Sequence, residues 1–174
     1  MSIKRKAYYL LIGFFFIHFH VFAQDQKVSD SLKRIYHQNM PEDSGRLELL
    51  LNLSFNEVND LNLALQYAEE LISLSKNLGN QSYIHNGYFI KGTKKRLQGN
   101  LEEAIDAFFK SGEAARNINS FKGEGNTYVA IADIYSISNN HKNAKLYYQK
   151  AITTLRQSDD SVSLASAILN AGDE

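Results

Sequence analysis

The amino-acid sequence predicts an all-α solenoid of antiparallel helix pairs, and three observations carry the prediction. Small residues recur 40 positions apart, with Ala64, Ala104 and Ala144 in one series and a second at Asn52, Gly92, Ala132 and Gly172, three of its four being Gly or Ala. Two close-packing positions per repeat imply two helices per repeat, each crossing its neighbour at short range. The second observation owes nothing to hydrophobicity. Positions 60, 80, 100, 120, 140 and 160 are Asp, Asn, Asn, Ser, Asn and Asp, all residues whose side chains accept from the unpaired N–H groups of a first helical turn. A new helix therefore starts every 20 residues. Third, the 174 residues contain one proline, Pro41, which leaves helices almost uninterrupted.

In chain order, residues 24 to 41 form an N-terminal segment with a short helix near 27 to 38, and the array occupies 42 to 174. Its first helix, 42 to 58, follows Pro41 and carries Leu51 and Phe55. The second, 60 to 78, opens on Asp60, places Ala64 at its crossing and closes on Gly79, which can take the left-handed conformation that ends a helix. The third, 80 to 98, opens on Asn80, carries Gly92 and closes on Gly99. Asn100 and Glu103 resemble a capping box at the head of the fourth, 100 to 118, with Ala104 and Phe108 on its inner face. The fifth, 120 to 138, starts at Ser120 through Gly123-Glu124-Gly125, where Gly125 is a close-packing site, and lays out a stripe of Tyr128, Ile131, Ala132 and Tyr135. Asn139 closes it, and the sixth, 140 to 157, answers with Ala144, Tyr147, Tyr148, Ala151 and Leu155. A seventh runs from 160. Helices of this length span about 25 Å, and connections this short permit only antiparallel neighbours. The repeats are then about 42–79, 80–119 and 120–159, with a truncated fourth at 160–174.

Residues 1 to 23 read as an address. Lys4, Arg5 and Lys6 precede an apolar run from Ala7 to Phe22 that ends at Ala23, which is the pattern of a secretory signal peptide with the mature start at Gln24. The run is 16 residues long and includes His18 and His20, short of the roughly 20 apolar residues a spanning helix needs. An uncleaved anchor is the alternative, and in both cases the body lies outside the cytoplasm, periplasmic or on the extracytoplasmic face of a membrane.

Composition excludes several kinds of chemistry. Beyond the basic start the chain carries 16 basic against 19 acidic groups, so it lacks the electrostatic footprint that nucleic acid requires. There is no cysteine, which removes disulfides, thiolate metal sites and thiol nucleophiles. The histidines of the body, His37, His85 and His141, fall in different helices without the spacing of metal ligands. Asp159 and Asp160 sit where a helix start uses carboxylates for capping. The sequence thus predicts no catalytic constellation, no metal and no cofactor. A basic cluster of Lys91, Lys94, Lys95 and Arg96 reads either as a solvated face or as part of a binding surface.

The pattern of Tyr128, Ile131, Ala132 and Tyr135 followed by Ala144, Tyr148 and Ala151 resembles the tetratricopeptide repeat (TPR) signature. The second repeat matches it with Tyr88, Gly92, Ala104 and Phe108, the first with Leu51, Phe55 and Ala64, and the fourth begins it with Ile168, Ala171 and Gly172. The period of 40 is longer than the family's usual one, and no repeat ends in the family's proline. The resemblance implies a right-handed α-α superhelix that binds a peptide or partner helix in a groove lined by the first helix of each pair. By family position that groove presents Arg46, Asn86, Phe89, Thr93, Lys95, Arg96, Asn126, Val129 and Asp133, while Ala64, Gly92, Ala104, Phe108, Ala132, Ala144, Tyr148 and Ala151 serve repeat packing. Lys91 and Lys95 stand where the family places Leu and Tyr, so the second A helix is expected to be the least tightly held.

The partner expected is a protein or peptide, with membrane contact only through the N-terminal segment or through a region beyond residue 174. Long-period repeats behind a signal peptide also resemble the sensor regions of bacterial receptors that carry a nucleotide cyclase or histidine kinase, which is the alternative reading. On either reading, Val162, Leu164, Ala165, Ile168, Leu169 and Ala171 form an apolar stripe on the last helix that invites self-association.

Overall fold

Every 20 residues the chain reverses direction, and at Asn80, Ser120 and Asn140 one residue serves both sides of the reversal. A computed structural model describes residues 26–38 and 42–172; the address at 1–23 and Pro41 lie outside them. Among the described residues there are eight helices: α1 over residues 26–38, α2 Asp43–Asn56, α3 Leu61–Asn77, α4 Gln81–Leu97, α5 Leu101–Asn117, α6 Phe121–Ile137, α7 His141–Leu155 and α8 Ser161–Gly172. Gly79 (φ +67°), Gly99 (φ +80°), Asn119 (φ 54°) and Asn139 (φ 55°) close α3 to α6 in the left-handed region. The next residue then donates its N–H back to the final turn, Asn80 to the Ser75 carbonyl at 2.8 Å, Asn100 to Lys95 at 3.0 Å, Ser120 to Ala115 at 2.9 Å and Asn140 to Tyr135 at 2.8 Å. The side chains of Asp60, Asn80, Ser120, Asn140 and Asp160 accept from the first turn of the following helix.

Asn100 is the exception, and the capping box expected with Glu103 does not form. The Asn100 amide donates to Gln98 Oε1 at 3.4 Å, while Glu103 turns to the Lys95 ammonium at 2.7 Å. The Asn100 N–H that a capping box would offer is already given to the Lys95 carbonyl, and the Lys95 ammonium takes the carboxylate instead.

Successive helices pack on one another, and in addition α2 touches α4, α4 touches α6 and α6 touches α8. The first helix of each pair therefore forms an inner layer, and α3, α5 and α7 form an outer one. Between the layers Ala64, Ala104, Ala132 and Ala144 are fully buried. A Cβ on Gly92 would lie 2.7 Å from the Phe108 ring, and one on Gly125 would lie 2.5 Å from Leu155. Phe108 itself is fully buried with Ile131 and Ile134 beside it, and Tyr148 and Ala151 fill the next layer. On α8, Ala167 is buried and Leu164 and Ala171 are half-buried, whereas Val162, Ile168 and Leu169 are exposed.

A buried ionic network ties the first repeat together. Glu57 is fully buried after α2 and accepts from the Ser29 hydroxyl at 2.9 Å, the Asp60 N–H at 3.0 Å and the Lys33 ammonium. Burial alone would raise this carboxyl, but the hydrogen bonds from Lys33, Asp60 and Ser29 bring it from 4.5 down to about 2. Its backbone carbonyl in turn accepts from the Lys94 ammonium at 2.7 Å, and the Phe55 carbonyl does so at 3.0 Å. Lys94, 5% exposed, thus caps α2 from α4. Lys91 reaches Glu69 on α3 at 2.9 Å and Lys95 reaches Glu103 on α5, so the two lysines that depart from the family pattern each pair α4 with a neighbouring outer helix.

The contact at Gly92 generates a prediction. Gly92→Ala forces the new methyl against Phe108 and costs about 1–3 kcal/mol, whereas Gly172→Ala, with no atom within 4 Å of the added carbon, changes stability by less than about 0.5 kcal/mol. Thermal melts of the two variants check it; equal melting temperatures would place Gly92 away from the interior.

Candidate functional site

The inner layer opens into a cleft of about 370 Å³ between α4 and α6, lined by Ser82, His85, Asn86 and Phe89 on one side and Lys122, Gly123 and Asn126 on the other. Ile118 and Ser120, from the turn before α6, close its end. Asn86 and Asn126 stand 40 residues apart, so the repeat places them at equivalent points of neighbouring inner helices. Both are half-buried, and among the described residues neither side-chain amide has a hydrogen-bond partner. Two amides, each able to donate and accept, are thus presented in one cleft without an internal use.

The rest of the wall is built from α4. Phe89 meets Phe108 edge to face at 5.3 Å, which locks its ring against the core and leaves the other side toward the cleft. His85 lies 6.1 Å from Phe89. Its Nδ1 is 2.8 Å from the Ser111 hydroxyl and 3.1 Å from the Ser111 carbonyl. Since the Ser111 hydroxyl has the His85 carbonyl as an acceptor at 3.0 Å, the network assigns the proton to Nδ1, donating to the Ser111 carbonyl. Nε2 is then an acceptor, directed at Gly123, where a Cβ would come within 2.9 Å of it. Burial lowers the His85 pKa from 6.5, against an opposing pull from the Ser111 carbonyl, so the ring is neutral near pH 7.

The structure brings together Asn86, Phe89 and Asn126 from the sequence-predicted groove. Other members have partners of their own. Arg46 pairs with Glu70, which also accepts from the Tyr36 hydroxyl at 2.7 Å. Lys95 pairs with Glu103, and Asp133 accepts from the Tyr148 hydroxyl at 2.6 Å. Thr93 bonds back to the Phe89 carbonyl at 3.0 Å, and Val129 packs against the cluster of Ala132, Ala144 and Tyr148 and that of Ala151, Leu155 and Ala167. Arg96 is half-buried, with its Nε enclosed and unpaired. The basic cluster is therefore not one patch: Lys91 and Lys95 are ion-paired and Lys94 is interior.

Ser82, His85 and Lys122 are cleft residues that the family pattern did not single out. His85 could have been found by helical spacing, because it precedes Phe89 by four residues and so shares its face. Lys122 supplies the cleft's cation and is held at 3.0 Å by Asp160. Among the described residues no cluster of three or more metal-ligating side chains occurs, and no helix is long and apolar enough to cross a membrane. Apart from that ion-paired cation, what the cleft can do chemically is exchange neutral hydrogen bonds and bury apolar surface.

Residues 125–154 match the family model described as "Tetratricopeptide repeat". No curated protein matches the sequence. Among solved structures, the chain is similar to the crystal structure of BtubC (BKLC) from P. vanneervenii, with a TM-score of 0.69 and 11% identity over 87% of this chain. It spans 64% of that protein's length. The match places one tetratricopeptide-type repeat on α6 and α7, and the likeness to the solved structure shows an all-α helical-repeat fold; a repeat of this type suggests a protein–protein interaction scaffold.

The neutral state of His85 has a measurable consequence. Its folded pKa lies below the 6.5 of the unfolded chain, so on acidification the unfolded state takes up the proton first. Stability contributed by this residue is full above about pH 6.5 and is lost as pH falls below it. A titration of the ring resonances by NMR will show a midpoint below 6.5; a midpoint at or above that value would contradict the buried, Ser111-bonded ring.

Proposed function

We propose that this chain is an exported protein-interaction module that holds an extended peptide segment of a partner protein in the cleft between α4 and α6. The observation that carries the reading is the pair of unengaged amides, Asn86 and Asn126, one repeat apart in the same cleft. Packed helices lie about 8–10 Å apart, and an extended chain advances about 3.3 Å per residue. Two such amides therefore address peptide groups about three residues apart and can satisfy backbone that would otherwise lose its hydration. Phe89 and the neutral His85 give an apolar wall for a side chain, and the His85 Nε2 accepts one further hydrogen bond. Export rests on the N-terminal pattern: the basic start, the apolar run and Ala23 address the array to the outside, where its partner is another extracytoplasmic protein.

Two experiments test the two halves. Extended peptides selected from a random nonapeptide library against the full chain will bind the Asn86→Ala/Asn126→Ala variant at least about tenfold more weakly, at unchanged helix content, as expected for the loss of hydrogen bonds to a desolvated backbone. Equal affinity for parent and variant would move the binding surface elsewhere. N-terminal sequencing of the protein recovered from outside the cytoplasm will begin at Gln24; recovery solely in the cytoplasm would contradict export.

A further inference from the structure

On the outer face the structure repeats one arrangement with a single omission. Tyr128 reaches outward from α6, and its hydroxyl donates to Glu124 Oε1 at 2.9 Å. Arg116 binds the same carboxylate oxygen at 2.9 Å and the Tyr128 hydroxyl at 3.3 Å, and the Lys150 ammonium lies 5.9 Å from the ring centre. A cation and a phenol thus hold a carboxylate between them. Forty residues earlier nearly every part recurs. Lys76 stands for Arg116 and donates to the Tyr88 hydroxyl at 2.8 Å, and Lys110 stands for Lys150, 5.9 Å from the Tyr88 ring. The carboxylate does not recur. Ile84 occupies the place of Glu124, no carboxylate among the described residues lies within ion-pair distance of Lys76, and the Tyr88 hydroxyl proton has no acceptor.

At that position lies a cavity of about 420 Å³ between the outer helices α3 and α5, floored by Ile84 and Ala114 and ringed by Lys76, Tyr88, Lys110 and Gln81. Its volume falls in the range of small-molecule sites, roughly 300–1,000 Å³. We propose that this pocket binds the carboxylate of a small organic acid, which takes the place that Glu124 fills in the following repeat. Lys76 supplies the charge, the Tyr88 hydroxyl donates its free proton, and Ile84 and Ala114 receive the hydrocarbon part of the ligand. The surroundings select for a single negative charge. Lys110 already holds Asp106 at 2.6 Å, and Glu113 lines the pocket from α5, so a doubly charged sulfate meets one uncommitted cation and a nearby carboxylate. This site is on the opposite layer from the peptide cleft and stands independently of it.

The test is a residue-resolved NMR titration of the full chain with acetate, propionate and benzoate, with acetamide and sulfate as comparisons. The monoacids will give saturable shifts at Lys76, Ile84 and Tyr88, with acetamide silent and sulfate weaker. Lys76→Met and Tyr88→Phe will each weaken benzoate by about tenfold or more, as for hydrogen bonds to a charged group. Glu124→Ala touches no part of the first pocket and will empty its counterpart, so a second set of saturable shifts will emerge at Arg116 and Tyr128. Absence of saturable shifts at Lys76 and Tyr88, sulfate binding more tightly than the acids, or a Glu124→Ala chain with no response at Arg116 and Tyr128 would each overturn the proposal.

Discussion

The structure depends on how closely the inner and outer helices approach each other. At Ala64, Ala104, Ala132 and Ala144 side chains are fully buried, and at Gly92 and Gly125 there is no space for even one added carbon. Large neighbours fill what the small residues leave, Phe108 over Gly92 and Leu155 over Gly125. This reciprocity of small against large is what jigsaw packing at interior density requires. Because the Ala64, Ala104 and Ala144 positions and the Gly92–Phe108 pair, answered by Ala132 and Tyr148, recur at a spacing of 40 residues, the arrangement of helices repeats along the array, and equivalent residues come to equivalent places. Asn86 and Asn126 in the cleft, and Tyr88 and Tyr128 on the outer face, are products of that repetition. Where successive copies differ, as Ile84 differs from Glu124, the shared geometry makes the difference readable as chemistry.

The fold was legible in the sequence because its determinants are local or periodic. Caps at 60, 80, 120, 140 and 160 act on the N–H groups next to them, and left-handed closures at Gly79, Gly99 and Asn139 need only the residue itself. Asn119 is a fourth closure that its residue type allowed but that the sequence reading passed over. At Asn100 the side chain turns back to Gln98, and the capping box lacks its second half for a reason outside its own helix, since Lys95 holds the Glu103 carboxylate. That rule separates what could be read from what could not. Side chains whose role is set within one turn follow the sequence, and side chains with a charged partner on another helix do not.

The same division explains the site. Asn86, Phe89 and Asn126 reach a common cleft because position in the repeat decides which face a residue occupies. Arg46, Lys95 and Asp133 have the right positions, but their long or charged groups pair with Glu70, Glu103 and Tyr148. Lys94 shows the limit most clearly. In sequence it is one of four basic residues in a row of six, and in the structure it is interior, holding the end of α2 through the Phe55 and Glu57 carbonyls. An isolated buried ammonium is costly, and here the α2 carbonyls and the nearby Glu57 charge compensate it, while Ser29 and Lys33 of α1 attach the N-terminal helix to the same point. No period announces such a network, because its members come from α1, the end of α2 and α4.

The central claim is that the small-residue crossings are what hold the array together. Native-state hydrogen exchange resolved by residue tests this most directly, since it ranks the free energies of local opening along the chain. The account predicts that the slowest amides lie on α4 to α7 around Gly92, Ala104, Ala132 and Ala144, with protection falling toward α1 and α8. Slowest exchange in α1 or α8, with the crossings opening as readily as frayed helix ends, would contradict it.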